Sequence, residues 1–130
     1  MAGTVTASVV KNDTTSPPQF QNSAGTEIGT LCRAWVNFNG VTTATIRASF
    51  NVSSVTRSAA GDYVVNFTNA LSDANYSTVA SGGRNATGSG GYLTLVGDRL
   101  APTTTAVQLY LITYLGATAD TPYVSVAVFR

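Results

Sequence analysis

The side chains best suited by type to acid–base work are six carboxylates: Asp13, Glu27, Asp62, Asp73, Asp98 and Asp120. A glycosidase-type reaction needs two of them facing each other across a sugar. Asp62, Asp73, Asp98 and Asp120 all fall among turn-forming residues, where an aspartate ordinarily caps its own backbone. A catalytic pair inside one chain is therefore not expected. A pair assembled between subunits, as a polysaccharide depolymerase would need, stays open. The chain has no histidine, which removes Ser-His-Asp triads, Cys-His pairs and histidine metal sites together. Cys32 is the single cysteine. It has no cysteine partner for an intrachain disulfide and no imidazole base, and it reads as a small core hydrophobe. Neither a G-x-S-x-G elbow nor a P-loop occurs. The expectation is a protein that is not an enzyme and holds no cofactor.

Recognition chemistry has two candidate locations. One is the glycine-rich stretch Ser81–Gly91, SGGRNATGSGG. Arg84, Asn85 and Thr87 can hydrogen-bond a partner there, and Tyr92 can stack beneath a sugar. Exposed loops on rigid scaffolds often carry recognition, although a flexible connection has the same composition. A phosphate site would need a strand-loop-helix setting that the stretch lacks. The other location is the polar segment Lys11–Asn22, where Lys11, Pro17, Pro18 and Phe20 mark an assembly arm. The residue before a proline is pushed away from helix. The segment reads as an extended loop or as a strand exchanged with a neighbour. Trp35 reads as core or interface.

The elements that must position these groups are strands. Charged residues make up only 10% of the chain, against roughly 25% in an ordinary soluble domain. Thr, Ser, Val, Ala, Gly and Asn fill the gap, and Thr and Val favour a pleated, half-buried setting. A surface this poor in charge is expected to be covered in an oligomer. The net charge of +1 comes with scattered arginines rather than a basic stripe, so nucleic acid is not an expected partner. No apolar run reaches membrane-spanning length. The N-terminal MAGTVTASVVKNDTT lacks the apolar core of a signal peptide, so synthesis and assembly in a cytoplasm are expected.

A first strand is expected within Thr4–Val10. Arg33–Phe38 alternates, with Cys32, Ala34, Val36 and Phe38 on one face and Arg33, Trp35 and Asn37 on the other. Asn39-Gly40 is a strong hairpin signal. Ala44, Ile46, Ala48, Phe50 and Val52 are then expected on one inward face. Val55 breaks that phase, and a bulge or bend near Ser53-Ser54 would absorb the extra residue. Ala60-Gly61-Asp62 makes a turn before the inward-facing Tyr63, Val65 and Phe67. Strands are also expected at Tyr76–Ala80, Tyr92–Val96, Ala106–Leu115 and Tyr123–Phe129. Ala106–Leu115 is apolar on both faces, so it should lie between layers or meet another subunit. Short strands with turns between them point to an all-β fold, a single antiparallel β-sandwich or jelly-roll-like domain. Residues 1–31 form an N-terminal strand and arm, and 32–130 the sandwich, within one structural domain.

The strings RAWVNFNG, TIRASFNVSSVTR, GDYVVNFTNAL and DANY, spanning Arg33–Tyr76, resemble a group of bacteriophage and prophage proteins of the tail-fibre-like type. The preceding NSAGTEIGTLC and the C-terminal VSVAVF also look similar to members of that group. Departures fall in turns: Val41-Thr42-Thr43 follows the NFNG, and Arg57–Tyr63 replaces a DNGTGDY-type turn. The resemblance implies a virion surface protein, a trimeric β knob of the tail-fibre or receptor-binding type. Its partners would be its own copies, other virion proteins and a host surface glycan or outer-membrane protein. The alternative is a capsid decoration (cement) protein. The short chain without an evident fibre shaft favours that alternative, with the Lys11–Asn22 arm reaching neighbouring capsomers. The resemblance carries no catalytic residues with it.

Overall fold

The structure, a computed structural model, describes residues 18–83, 92–97 and 99–130, together with Ala7 and Val9. The strand expected within Thr4–Val10, most of the proposed arm including Lys11 and Pro17, and the loop residues Arg84, Asn85 and Thr87 lie outside the described residues. Asp13 and Asp98 do too. All the regular structure among the described residues is strand.

Contacts divide the chain into two compact units, Met1–Thr30 and Leu31–Arg130. In the first, β1 (Phe20–Gln21) pairs antiparallel with β2 (Glu27–Gly29). Asn22 shapes the turn between them. Its Oδ1 accepts from the Ala24 and Thr26 amides, both at 3.0 Å, the local backbone capping that asparagine favours. Phe20 thus sits in a short exposed hairpin, with Pro18 exposed just before it.

The second unit holds β3 (Cys32–Asn39), β4 (Thr45–Phe50), β5 (Val52–Ala59), β6 (Asp62–Phe67), β7 (Ser77–Gly82), β8 (Tyr92–Val96), β9 (Ala106–Thr113) and β10 (Val124–Phe129). They form two four-stranded antiparallel sheets, ordered β4-β3-β10-β7 and β5-β6-β9-β8. One apolar cluster draws from both. It contains Ala34, Val36 and Phe38 of β3 and Val124, Val126 and Val128 of β10. The other sheet gives Tyr63, Val65 and Phe67 of β6 and Val107, Leu109 and Leu111 of β9. Each set has the period of two that buries one face of a strand. Phe38 meets Tyr63 edge-on, with ring centroids 5.2 Å apart.

The long alternation Ala44–Val52 does not stay on one face. Along β3, Asn37 pairs with Ala48 but Phe38 pairs with Ile46, so Arg47 is an extra residue in β4. A bulge of this kind flips the faces of everything beyond it. Ile46 stays on the core side, while Ala48 and Phe50 are exposed on the outer side. At Asn51 the chain then leaves the first sheet for the second. Asn51 has φ 54°, in the left-handed region that asparagine tolerates better than most residues. Its Nδ2 donates to the Arg33 and Asn69 carbonyls (3.1 and 3.2 Å), and its Oδ1 accepts from the Asn69 amide at 2.8 Å. The expected bulge is present between Val52 and Ser54, but the corner itself precedes it.

Asn39-Gly40 likewise differs from expectation. β3 and β4 are joined by five residues, Gly40–Ala44, and Thr42 takes the left-handed backbone, φ 59°. Gly40 serves close approach. Its amide donates to the Thr121 carbonyl, and its carbonyl accepts from the Tyr63 hydroxyl, each at 3.0 Å. A Cβ there would lie 2.4 Å from that hydroxyl. Ala60-Gly61 does make a tight hairpin between β5 and β6, with Gly61 at φ +72°.

The β9 strand ends at Thr113, so Tyr114 and Leu115 belong to an exposed turn rather than to a two-faced strand. The chain itself covers part of the second face of β9. The Arg99 guanidinium lies 4.5 Å over the Tyr110 ring, and the Leu100 amide donates to Gln108 Oε1.

Candidate contact face

The described aspartates are engaged in structural bonds. Asp120 lies just before β10, in the segment that closes one end of the two sheets. It accepts from Arg57 Nε and Nη2, the Gly61 amide and the Tyr63 hydroxyl, at 2.7 to 3.0 Å. Burial disfavours its charge, yet the donations from Arg57, Gly61 and Tyr63 outweigh that and hold its carboxyl below the ordinary range. Burial, then the bond to Asp120, pushes the Tyr63 phenol far above its usual value. A fully buried phenol bound to a carboxylate saturated with donors is a clamp rather than a poised acid or base. It ties the β5–β6 hairpin, the β3–β4 turn and the approach to β10 together. Asp62 accepts from the buried Gln108 amide at 2.7 Å. Asp73 caps the Asn75 amide, as its turn setting suggested, and pairs with Arg130. Asp120, also expected in a turn role, bonds across the fold to Arg57, Gly61 and Tyr63. Among the described residues, no cluster of three or more potential metal ligands forms.

The outer faces of the two sheets differ. On the second sheet, Asn66 Nδ2 bonds Ser54 and Thr56, and Arg99 and Leu100 cover Tyr110 and Gln108. On the first sheet, bulky apolar groups face solvent. Phe50 pairs with Trp35, Trp35 with Ala127 and Ala127 with Val79. These residues make one rung across all four strands, roughly 14 Å wide at the usual strand spacing. Phe50 is 55% exposed, Trp35 40% and Val79 62%. The neighbouring rung is small and polar: Ala48, Asn37, Ser125 and Ser81 lie opposite one another in turn. Asn37 Nδ2 donates to Ser125 Oγ at 2.9 Å.

Arg47, the bulge residue, donates to Asn37 Oδ1 and places its guanidinium 5.1 Å over the exposed Tyr123 ring. An open depression of about 160 Å³ follows β10 and β7, lined by Val79, Ala80, Ser81, Ser125, Val126 and Ala127. Ser125 and Ala127 are small lining residues, and Trp35 and Val79 flank Ala127 in the register.

This face is built from residues other than the contact residues named from the sequence, apart from Ser81 at the start of the glycine-rich stretch. Arg84, Asn85 and Thr87 lie outside the described residues, and of Tyr92 only the place in β8 is described. Phe20 and Pro18 belong to the N-terminal unit. Trp35 was legible as opposite in parity to Ala34, Val36 and Phe38. Tyr123 and Ala127 are likewise opposite to Val124, Val126 and Val128. Phe50 was hidden by the bulge at Arg47.

No known protein family matches this chain, and no curated protein or solved structure is detectably similar to it.

Proposed function

We propose that this chain is a non-enzymatic structural protein of the bacteriophage virion surface, of the tail-fibre or receptor-binding type. The unit Leu31–Arg130 would be a β-sandwich serving as a rigid knob, and three copies would assemble into a homotrimer in the host cytoplasm. The observation that carries this reading is the exposed apolar rung of the first sheet. A sheet face turned to water is ordinarily polar, and exposed apolar patches mark interaction sites. The Arg33–Tyr76 strings resembling phage proteins supply the particle. Their residues build β3 to β6 and the turns between them, so they account for the scaffold. Contact belongs to what the scaffold displays.

The low charge content supports the oligomer. Light scattering on the purified protein is expected to give about three times the 13.4 kDa chain mass. A mass near 13.4 kDa at micromolar concentration would remove the trimer. Added to host cells, the protein is expected to compete with the phage for adsorption, and failure to compete at saturation would sink the receptor-binding role. The decoration reading draws on a different observation: Met1–Thr30 is a compact unit of its own that exposes Phe20 and Ile28. Many copies covering purified capsids would establish it. A depolymerase would have to pair carboxylates between subunits; if Asp→Asn changes at Asp62, Asp73, Asp98 and Asp120 leave host binding intact and no glycan is cleaved by the parent protein, that reading fails.

A further inference from the structure

We infer that the outer face of the β4-β3-β10-β7 sheet binds an uncharged saccharide, with Trp35 and Phe50 stacking on sugar rings and Asn37, Ser125 and Ser81 bonding their hydroxyls. This deepens the receptor-binding reading and rests on it, while moving the contact from the glycine-rich loop to the sheet.

The face has the two-sided character of a sugar. A pyranose presents a patch of C–H bonds on one side and hydroxyls around its rim. Here an apolar rung, Phe50, Trp35, Ala127 and Val79, runs beside a polar rung, Asn37, Ser125 and Ser81. The two are roughly 7 Å apart along the strands, within the span of one or two sugar rings. Aromatic rings offer flat apolar area with little rotamer entropy to lose. The strands beneath are paired across the sheet, so the site exists before the ligand arrives and little ordering cost remains. The depression along β10 and β7 gives a substituent room beside Val79 and Ala127.

The competing occupant is a second copy. Phe50, Trp35, Val79 and Tyr123 together expose roughly 400–500 Å², from typical side-chain areas and their fractional exposures. That is about the apolar share of the roughly 800 Å² each partner gives to a standard interface, so the oligomer measurement below decides between the two. The two rungs themselves carry no ionised side chain, so a neutral ligand meets them without an ion pair; Arg47 beside them lies over the Tyr123 ring and donates to Asn37 Oδ1.

Trp35 is the only tryptophan, so tryptophan emission, excited selectively over the six tyrosines, reports this face alone. The test titrates the full chain with hexasaccharides of glucose, mannose and N-acetylglucosamine and with purified O-antigen polysaccharides. At least one is expected to shift or quench Trp35 emission in the millimolar range or tighter. By calorimetry, Phe50→Ala and Trp35→Ala should each weaken that ligand about tenfold, equivalent to about 1.4 kcal/mol. Ala127→Leu, which fills the depression, should weaken it while leaving Trp35 in place. Near-native circular dichroism in the variants separates lost binding from lost fold.

Absence of binding across the panel would overturn the inference. So would binding that Phe50→Ala and Trp35→Ala leave intact. A Trp35→Ala/Phe50→Ala double variant that becomes monomeric while the parent is oligomeric would assign the face to a second copy. Adsorption assays separate the two levels. If the parent protein competes with phage and the double variant competes equally, only the saccharide face fails. If the parent protein does not compete, the receptor-binding reading fails with it.

Discussion

Asn51 holds the corner at which the chain passes from one sheet to the other, and replacing it tests that corner directly. Asn51→Ala removes two donations from Nδ2, to the Arg33 and Asn69 carbonyls, and one acceptance by Oδ1 from the Asn69 amide. A net hydrogen bond is worth about 0.5–1.5 kcal/mol. The two bonds to Asn69 are exposed, so they belong at the low end, and the bond to Arg33 is part-buried. Alanine must also hold φ near 54°, a left-handed backbone that costs about 1–2 kcal/mol without a tolerant side chain. Together these give a loss of about 2–4 kcal/mol. Asn51→Gly removes the same bonds but not the backbone ease, so it should lose about 1–2 kcal/mol less than alanine. Urea unfolding followed by Trp35 emission and by circular dichroism measures both. Alanine within about 0.5 kcal/mol of the parent, the usual range for surface changes, would refute the role given to Asn51 at the corner. Glycine as damaging as alanine would refute the backbone term.

Gly40→Ala places a Cβ 2.4 Å from the Tyr63 hydroxyl and 3.0 Å from the Thr121 carbonyl. Overpacking of this kind costs about 1–3 kcal/mol or more, and a thermal midpoint equal to the parent's would contradict the close approach. Tyr63→Phe leaves the ring packed on Phe38 but strips the bonds to Gly40 and Asp120. A loss of about 1–3 kcal/mol is expected in urea unfolding, and an unchanged midpoint would contradict the clamp. Asp120 sits below its usual 3.8 when folded. Its contribution to stability is therefore complete above about pH 4 and is lost as pH falls through the lower, folded value. Asp120→Asn should be less stable at neutral pH and show a shallower loss of stability below pH 4. An acid profile parallel to the parent's would contradict the assignment. Asp73, held low first by its bond to Arg130 and then by the Asn75 amide, adds acid sensitivity of the same sign, so Asp73→Asn should flatten part of the same profile.

Strand identity was legible where the period of two ran unbroken. Tyr63, Val65 and Phe67 are buried as their spacing predicts, as are Ala34, Val36 and Phe38. What alternation cannot show is where one extra residue shifts the register. Arg47 looks like any outward residue, yet its bulge turns Ala48 and Phe50 outward and creates half of the exposed rung. Nor does periodicity reveal a change of sheet, because β4 and β5 read as one strand with a phase error. Asn39-Gly40 has the residues of a tight turn, but the glycine answers to Tyr63, 23 positions away. The residues around Asp120 suggest only a turn, while its partners Arg57, Gly61 and Tyr63 come from another hairpin. In each case the deciding contact is long-range, and local chemistry is silent about it.

The virion role is tested most directly by locating and counting the protein on intact phage particles, by antibody labelling and quantitative mass spectrometry of purified virions. A few copies confined to the tail, in multiples of three, is the predicted result. Label spread over the whole capsid would replace the receptor-binding role with decoration, and absence from purified particles would contradict the virion assignment altogether.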